Sequence, residues 1–327
     1  MRNFQIDGGS TGDGGMLVST SAANDPTLLK ILREVSQAYE FRRPLIQALE
    51  ADGYRWISYV AIIGPPGSMV LPGDVDLLAE LLAPIPRDAP LAVLINSPGG
   101  LLDSAEAIVR LFRNGRPKLR FVVPSHAKSA ATMMALAADE IWMSDTSQLG
   151  PIDPQVPSRT GMGVSALSVI QSYEELIESV NKKPAPGPGD FLAFQTIDLS
   201  YVAQCRRAIE HGLKLGTDWL SSFALSATTD AETKAASIVQ HLIHDFQSHG
   251  QVIAWQEAAE MGLPVEYVTQ ADPRWRIVWE LYLRSVLFLA GTQQLKLAES
   301  AEHSFATGRV QQVAIQPGPP PAGPAQR

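Results

Sequence analysis

The 327-residue sequence holds a single cysteine, Cys205. It can therefore form no intrachain disulfide and no cysteine-based metal centre. Cys205 falls in a stretch expected to be helical and reads as a small buried hydrophobe. Charged residues are only 18% of the chain, the formal net charge is -8, and no long basic run occurs. That argues against nucleic acid as a principal partner. No run of 18 apolar residues exists, and the most apolar late stretch, 277–290, is interrupted by Glu280 and Arg284. No membrane span is expected. A P-loop pattern is absent, so any ATP-driven unfolding of a substrate would need a separate partner. Residues 1–25 are rich in Gly, Ser, Thr, Asp and Asn without an apolar centre, which predicts a flexible arm instead of a secretory signal. Together these absences predict a soluble, cytoplasmic protein with no cofactor and no metal.

Hydrophobic residues are 45% of the chain, enough for one large domain or two smaller ones. The stretch from Leu91 to Asp153 carries the chemistry. Leu91–Ile95 is a short apolar run of buried-strand length. Asn96-Ser97-Pro98-Gly99-Gly100 ends it. Pro98 removes a backbone donor, and the two glycines leave amide groups with no Cβ to block approach. Such amides can hold a developing oxyanion. Leu102, Ala105, Ile108, Val109 and Phe112 then recur at helical spacing until Gly115. Leu119–Val123 predicts a second buried strand. From Ala130 to Ala138 nearly every residue is Ala, Met or Leu, which predicts a buried helix. Ser129 stands at its mouth, where a hydroxyl meets the positive end of the helix dipole. Taken alone, a serine there serves as an N-cap.

Earlier in the chain, Asp25-Pro26 predicts a helix start, with Leu28, Leu29, Leu32, Val35 and Tyr39 on one face. Residues 55–63 predict a strand, 74–82 a helix and 140–143 a further strand. Strand and helix alternate from 55 to 123, which predicts a parallel sheet with right-handed crossovers. Beyond Gln155, residues 158–164 predict a loop, and 167–180, 192–215 and 230–244 predict helices. His249 precedes another helix over 257–261, and one or two more helices are expected to run to about Glu302. The tail QPGPPPAGPAQR cannot form a core.

The order strand, SPGG, helix, strand, Ser129, apolar helix, strand, LGPIDPQ resembles the Clp protease proteolytic subunit and the signal peptide peptidase A group. Both belong to the wider crotonase-like superfamily. AKSAATMMALAADEI followed by LGPIDPQ is most similar to the serine dehydrogenase proteinase family. The resemblance spans about residues 56–268 and implies an α/β crotonase-like spiral of βα units. After the flexible arm over 1–25, which composition predicts, a serine peptidase domain is expected over 26–268. A C-terminal helical extension follows over 269–304 and a disordered tail over 305–327. The resemblance further implies a homo-oligomer acting on peptide or protein substrates, with Ser129 as nucleophile and Gly99, Gly100 and Ala130 as oxyanion donors.

A serine hydroxyl needs a neighbour that accepts its proton. The Clp subunit has a histidine where this chain has Asp153. The base is therefore assigned to His249 with Asp153 orienting it, since geometry and not chain order defines a triad. Lys182 is the alternative, in a Ser-Lys dyad like that of signal peptide peptidase A. Lys128 is expected to point away from the site. His126 is close enough to line it, and His211, His241, His244 and His303 are expected on helix faces or the surface. Two other functions remain open: a crotonase-type acyl-CoA enzyme and a catalytically inactive Clp-like scaffold.

Overall fold

The computed structural model describes residues 38–157, 163–246 and 250–309. The arm over 1–25, most of the helix expected from Asp25, His249 and the tail beyond 309 lie outside the described residues.

Helix α1 (Tyr39–Leu49) leads into strand β1 (Arg55–Ala61), helix α2 (Pro72–Leu82), strand β2 (Leu91–Asn96), helix α3 (Leu102–Arg113) and strand β3 (Leu119–Val122). Short strand β4 (His126–Ala127) precedes helix α4 (Ala130–Ala135), which is followed by β5 (Glu140–Met143) and β6 (Gln148–Leu149). A small hairpin, β7 (Gln155–Pro157) with β8 (Gly163–Ser165), opens the helical half. That half comprises α5 (Ala166–Asn181), α6 (Pro188–Thr196), α7 (Leu199–Ser222), α8 (Ala231–His244) and α9 (Trp255–Glu260). Strand β9 (Val265–Tyr267), helix α10 (Pro273–Thr292) and strands β10 (Gln294–Glu299) and β11 (Ser304–Arg309) finish the described chain.

Seven strands form one sheet in the order β11-β10-β1-β2-β3-β5-β9. From β1 to β9 all pairings are parallel; β10 and β11 add antiparallel at the β1 edge. Every residue of β2 is buried. Parallel strands covered on both faces read as unbroken apolar runs for this reason. Alternate residues nonetheless serve different layers. Leu91, Val93 and Ile95 join the core under α2, α3, α4 and α8, while Ala92 and Leu94 join the core under α1 and α10. Burying each large aliphatic side chain contributes roughly 1.5–3 kcal/mol.

The strands expected at 55–63, 91–95, 119–123 and 140–143 are present and adjacent, in a mixed α/β fold with a largely parallel sheet. The expected helix over 192–215 is two helices. Ile197 and Asp198 interrupt it, and the Asp198 carboxylate starts α7 by accepting from the amides of Ser200 and Tyr201. The larger correction concerns the end of the chain, where the helical reading of 269–304 fails after Thr292. Gln293 adopts φ 56°, ending α10, and 294–299 and 304–309 are strands, so the expected tail yields residues 305–309 to the sheet. Leu295 and Leu297 do alternate, but Lys296 and Glu299 between and beyond them are also buried, in ion pairs with Asp74 and Arg42. Charged residues inside the fold hid the strand pattern.

Candidate active site

The SPGG turn and the serine turn leave the C-terminal ends of adjacent parallel strands, β2 and β3, so both open on the same edge of the sheet. They are also bonded to each other. The Ser97 amide donates to the His126 carbonyl at 2.9 Å, and the Lys128 amide donates to the Ser97 carbonyl at 3.1 Å. Buried Asn96, the last residue of β2, ties β1 to β4: its Nδ2 donates to the Ala61 carbonyl at 2.8 Å, and its Oδ1 accepts from the His126 amide at 3.0 Å. Ser97 pairs with Ala127, Ala127 with Leu149 and Leu149 with Ile253, so the loops above the main sheet form a second ladder.

Ser129 has φ 52° and ψ -117° and is 8% exposed. A positive φ is costly for a residue with a Cβ, and such conformations concentrate at functional sites. The turn is braced by Thr132, whose hydroxyl donates to the Ala127 carbonyl at 2.6 Å and accepts from the Gly150 amide at 3.1 Å. The glycine-proline segment after β6 is thereby tied to the serine helix.

The expected oxyanion donors divide. The Gly99 amide is taken, donating to Ser97 Oγ at 3.1 Å. The Gly100 and Ala130 amides have no partner among the described residues. Gly99 has φ 88°, and a Cβ there would stand 2.9 Å from both Ser129 Cβ and the Ala130 nitrogen. A Cβ on Gly100 would run into Val70, 2.8 Å from its Cα. Both glycines are required by close backbone approach.

Ser129, Gly100 and Ala130 line one cavity of about 230 Å³. Met133, Ile152 and Val156 give it apolar walls, and Gln204, Ala208 and His211 close it along one face of α7. His211 is held there by Glu106: its Nε2 lies 3.2 Å from Oε2, while Arg110 occupies Oε1 at 2.6 Å. An acid that grips one ring nitrogen orients the other. His211 does sit on a helix face, as expected, and its side chain is 41% exposed; what was not foreseen is that this face closes the Ser129 cavity. The signal was the 204, 208, 211 spacing on one helix face, but nothing local showed which cavity that face closes.

Other expected residues lie elsewhere. Asp153 accepts from Ser165 Oγ at 2.8 Å and lines a separate cavity of about 440 Å³ with His244 and Asp245. Lys182 is 72% exposed and pairs with Glu178 at 2.7 Å, and it does not line the Ser129 cavity. Lys128 points away from that cavity, as expected. Its Nζ donates to the carbonyls of Leu149 and Gln251 at 2.8 and 3.1 Å, and burial brings its ammonium down to about 8. His126 Nδ1 lies 2.7 Å from Ser125 Oγ, and burial, then the Lys128 charge, lowers its affinity for a proton. It does not line the cavity. His241 pairs with Asp245 at 2.5 Å, and His303 packs beside Phe305. Among the described residues, no group of three or more His, Cys, Asp or Glu side chains is placed to hold a metal ion. No described helix is long and apolar enough to cross a membrane.

Comparison with known proteins gives the following. Uncharacterized protein MJ0137 of Methanocaldococcus jannaschii is 27% identical over 261 residues, 79% of this chain and 79% of that protein. Uncharacterized protein MJ1495 of the same organism is 27% identical over 164 residues, 47% of this chain and 54% of that protein. Among solved structures, a mutant of the 1510-N membrane-bound stomatin-specific protease has a TM-score of 0.38 at 14% identity, over 64% of this chain and 78% of that one. The family described as ClpP-like SDH-type serine proteinase matches residues 74–286, which include the SPGG turn, Ser129 and the LGPIDPQ segment. The chain belongs to this family of ClpP-like serine proteinases.

Proposed function

We propose that this protein is a serine endopeptidase whose nucleophile is Ser129. One observation carries the reading: two unpartnered amides, of Gly100 and Ala130, border the cavity that holds a serine in a strained turn. Ser129 Oγ attacks a peptide carbonyl and its proton passes to the base. The carbonyl oxygen becomes an oxyanion that accepts from the two amides. The C–N bond then breaks, the base returns the proton to the leaving amine, and water hydrolyses the acyl-enzyme by the same route. Gly99 serves by holding the turn, with its own amide committed to Ser97.

The base is assigned to His249, with Asp153 orienting it. The neighbouring Gln251 supports this, because its carbonyl is bound by Lys128, the residue before the nucleophile. A second reading rests on His211, which Glu106 holds in the wall of the Ser129 cavity. The Ser129-Lys182 dyad has no comparable support, since Lys182 is engaged by Glu178 at the surface. The ladder through Ser97, Ala127, Leu149 and Ile253 supports reading the fold as a crotonase-like spiral. Self-association is supported by Phe191, Leu192 and Leu199, exposed by 59, 65 and 65% on neighbouring parts of α6 and α7. Light scattering on the purified chain should give a multiple of the 35.3 kDa subunit, and a monomer at micromolar concentration would refute assembly.

The decisive experiment pairs labelling by a fluorophosphonate with hydrolysis of fluorescent casein. Wild type should be labelled at Ser129 and Ser129→Ala should lose both signals. An unlabelled wild type that leaves casein intact would remove the peptidase reading in favour of an acyl-CoA enzyme or an inactive scaffold, and casein hydrolysis that survives Ser129→Ala would remove Ser129 as the nucleophile.

A further inference from the structure

We infer that Lys296, on the C-terminal strand β10, is a positioning residue for the Gly100 amide. This rests on the assignment of that amide as an oxyanion donor. Lys296 lies outside the 74–286 span that defines the family match, and 222 positions from its partner Asp74. Both are buried, at 6 and 3% exposure. A lysine buried to this degree must have its ammonium donors satisfied by the protein. Lys296 Nζ meets this demand with Asp74 Oδ1 at 2.9 Å, Asp74 Oδ2 at 2.7 Å and the Met69 carbonyl at 2.7 Å. Asp74 Oδ2 also accepts from the Leu71 amide at 2.7 Å. The pair therefore grips the Met69–Leu71 segment from one side.

The other side of that segment holds the oxyanion turn. The Val70 amide donates to the Gly99 carbonyl at 2.8 Å, and the Val70 carbonyl accepts from the Leu101 amide at 3.0 Å. These bonds flank Gly100 and fix the two peptide planes around it. Gly100 itself lies so close to Val70 that no Cβ fits between them. A shift of Val70 must move Gly100, whose own N–H has no partner among the described residues. The chain of contact runs from Lys296 and Asp74 through Met69–Leu71 to the Gly100 amide. The late antiparallel strand is thus part of how the site is aimed, beyond covering a sheet edge.

The test uses the full chain as wild type, Lys296→Met, Lys296→Arg and the double variant Asp74→Asn/Lys296→Met. The double variant removes both buried charges, so it keeps the test alive if Lys296→Met leaves Asp74 unpaired and fails to fold. Two readouts are taken on variants shown to be folded by circular dichroism: the rate of fluorophosphonate labelling, and amide hydrogen exchange along 97–101. A misaimed donor should slow labelling by about 10-fold or more, since one oxyanion donor is worth about 10²–10³ in rate. Exchange at Leu101 should accelerate while exchange in β3 stays unchanged, and Lys296→Arg should recover most of the rate. Folded Lys296→Met or double variant that labels at the wild-type rate overturns the inference, as does slowed labelling with unchanged exchange at Leu101. If wild type itself is not labelled, the peptidase assignment fails. Exchange at Leu101 then decides the structural coupling alone, supporting it if faster and overturning it if unchanged.

Discussion

Gly99 and Ser129 are packed so closely that a Cβ on Gly99 would lie 2.9 Å from the Cβ of Ser129. The two turns are one unit: each fixes the other's backbone, through contact here and through the Ser97–His126 and Lys128–Ser97 bonds beside it. The φ of 88° at Gly99 adds a conformational cost for any side chain.

Gly99→Ala therefore tests the unit and not only access to the site. The new methyl must displace Ser129 or the Lys128 carbonyl. Fluorophosphonate labelling should fall by about 10²-fold or more, the scale of one lost oxyanion donor. Thermal unfolding should show a fold destabilised by about 1–3 kcal/mol, the scale of overpacking. Labelling at the wild-type rate would mean that the two turns are not coupled.

Ser129 itself stores strain that its replacement can release. At φ 52° and ψ -117° a residue with a Cβ carries about 1–3 kcal/mol that glycine does not. Ser129→Gly and Ser129→Ala should both abolish labelling. Urea unfolding should nevertheless place Ser129→Gly above Ser129→Ala by about 1 kcal/mol, after the entropic cost of glycine. Equal stabilities would show that the turn is relaxed.

The two candidate bases separate by substitution. If His249 is the base, His249→Ala should lower the labelling rate by about 10²–10⁴-fold, the usual worth of a general base. His211→Ala should then mainly raise KM for casein, because His211 only lines the cavity. If His211→Ala removes labelling and Glu106→Gln weakens it in the same direction, the histidine held by Glu106 is the base and the assignment to His249 is wrong.

Lys128 should leave a pH signature in stability. Burial brings its ammonium from 10.5 down to about 8 in the folded chain. Between about pH 8 and 10.5 the unfolded chain thus holds a proton that the folded chain has released. Stability rises with pH wherever the unfolded state binds more protons. Below pH 8 both states are charged, and the cost of burying the charge is constant. The Tm of wild type should therefore gain on that of Lys128→Met as pH is raised through this window. A Tm of wild type that stays level with, or falls relative to, that of Lys128→Met as pH rises would contradict the burial of the charge.

Much of this was legible in local pattern. The apolar runs at 55–61, 91–96 and 119–122 are strands because they are buried on both faces, and no polar alternation was needed to mark them. The helical spacing of Leu102 to Phe112 reported one buried face correctly. Pro98-Gly99-Gly100 announced a turn with bare amides, and Ser129 announced a helix start. Which amide is free was not legible. It depends on Ser97 Oγ folding back on Gly99, and on Val70 pressing against Gly100 from another loop. The pairing of His211 with Glu106, and of Lys296 with Asp74, joins residues far apart in the chain. The sequence by itself determined the strands, the helix faces and the order of the two turns, because periodicity and backbone restriction act between near neighbours. Only the tertiary structure decided which loop presses on Gly100, which helix closes the cavity and which lysine anchors the turn. Those contacts arise where the sheet order brings distant segments together, and no local pattern encodes a neighbour's identity.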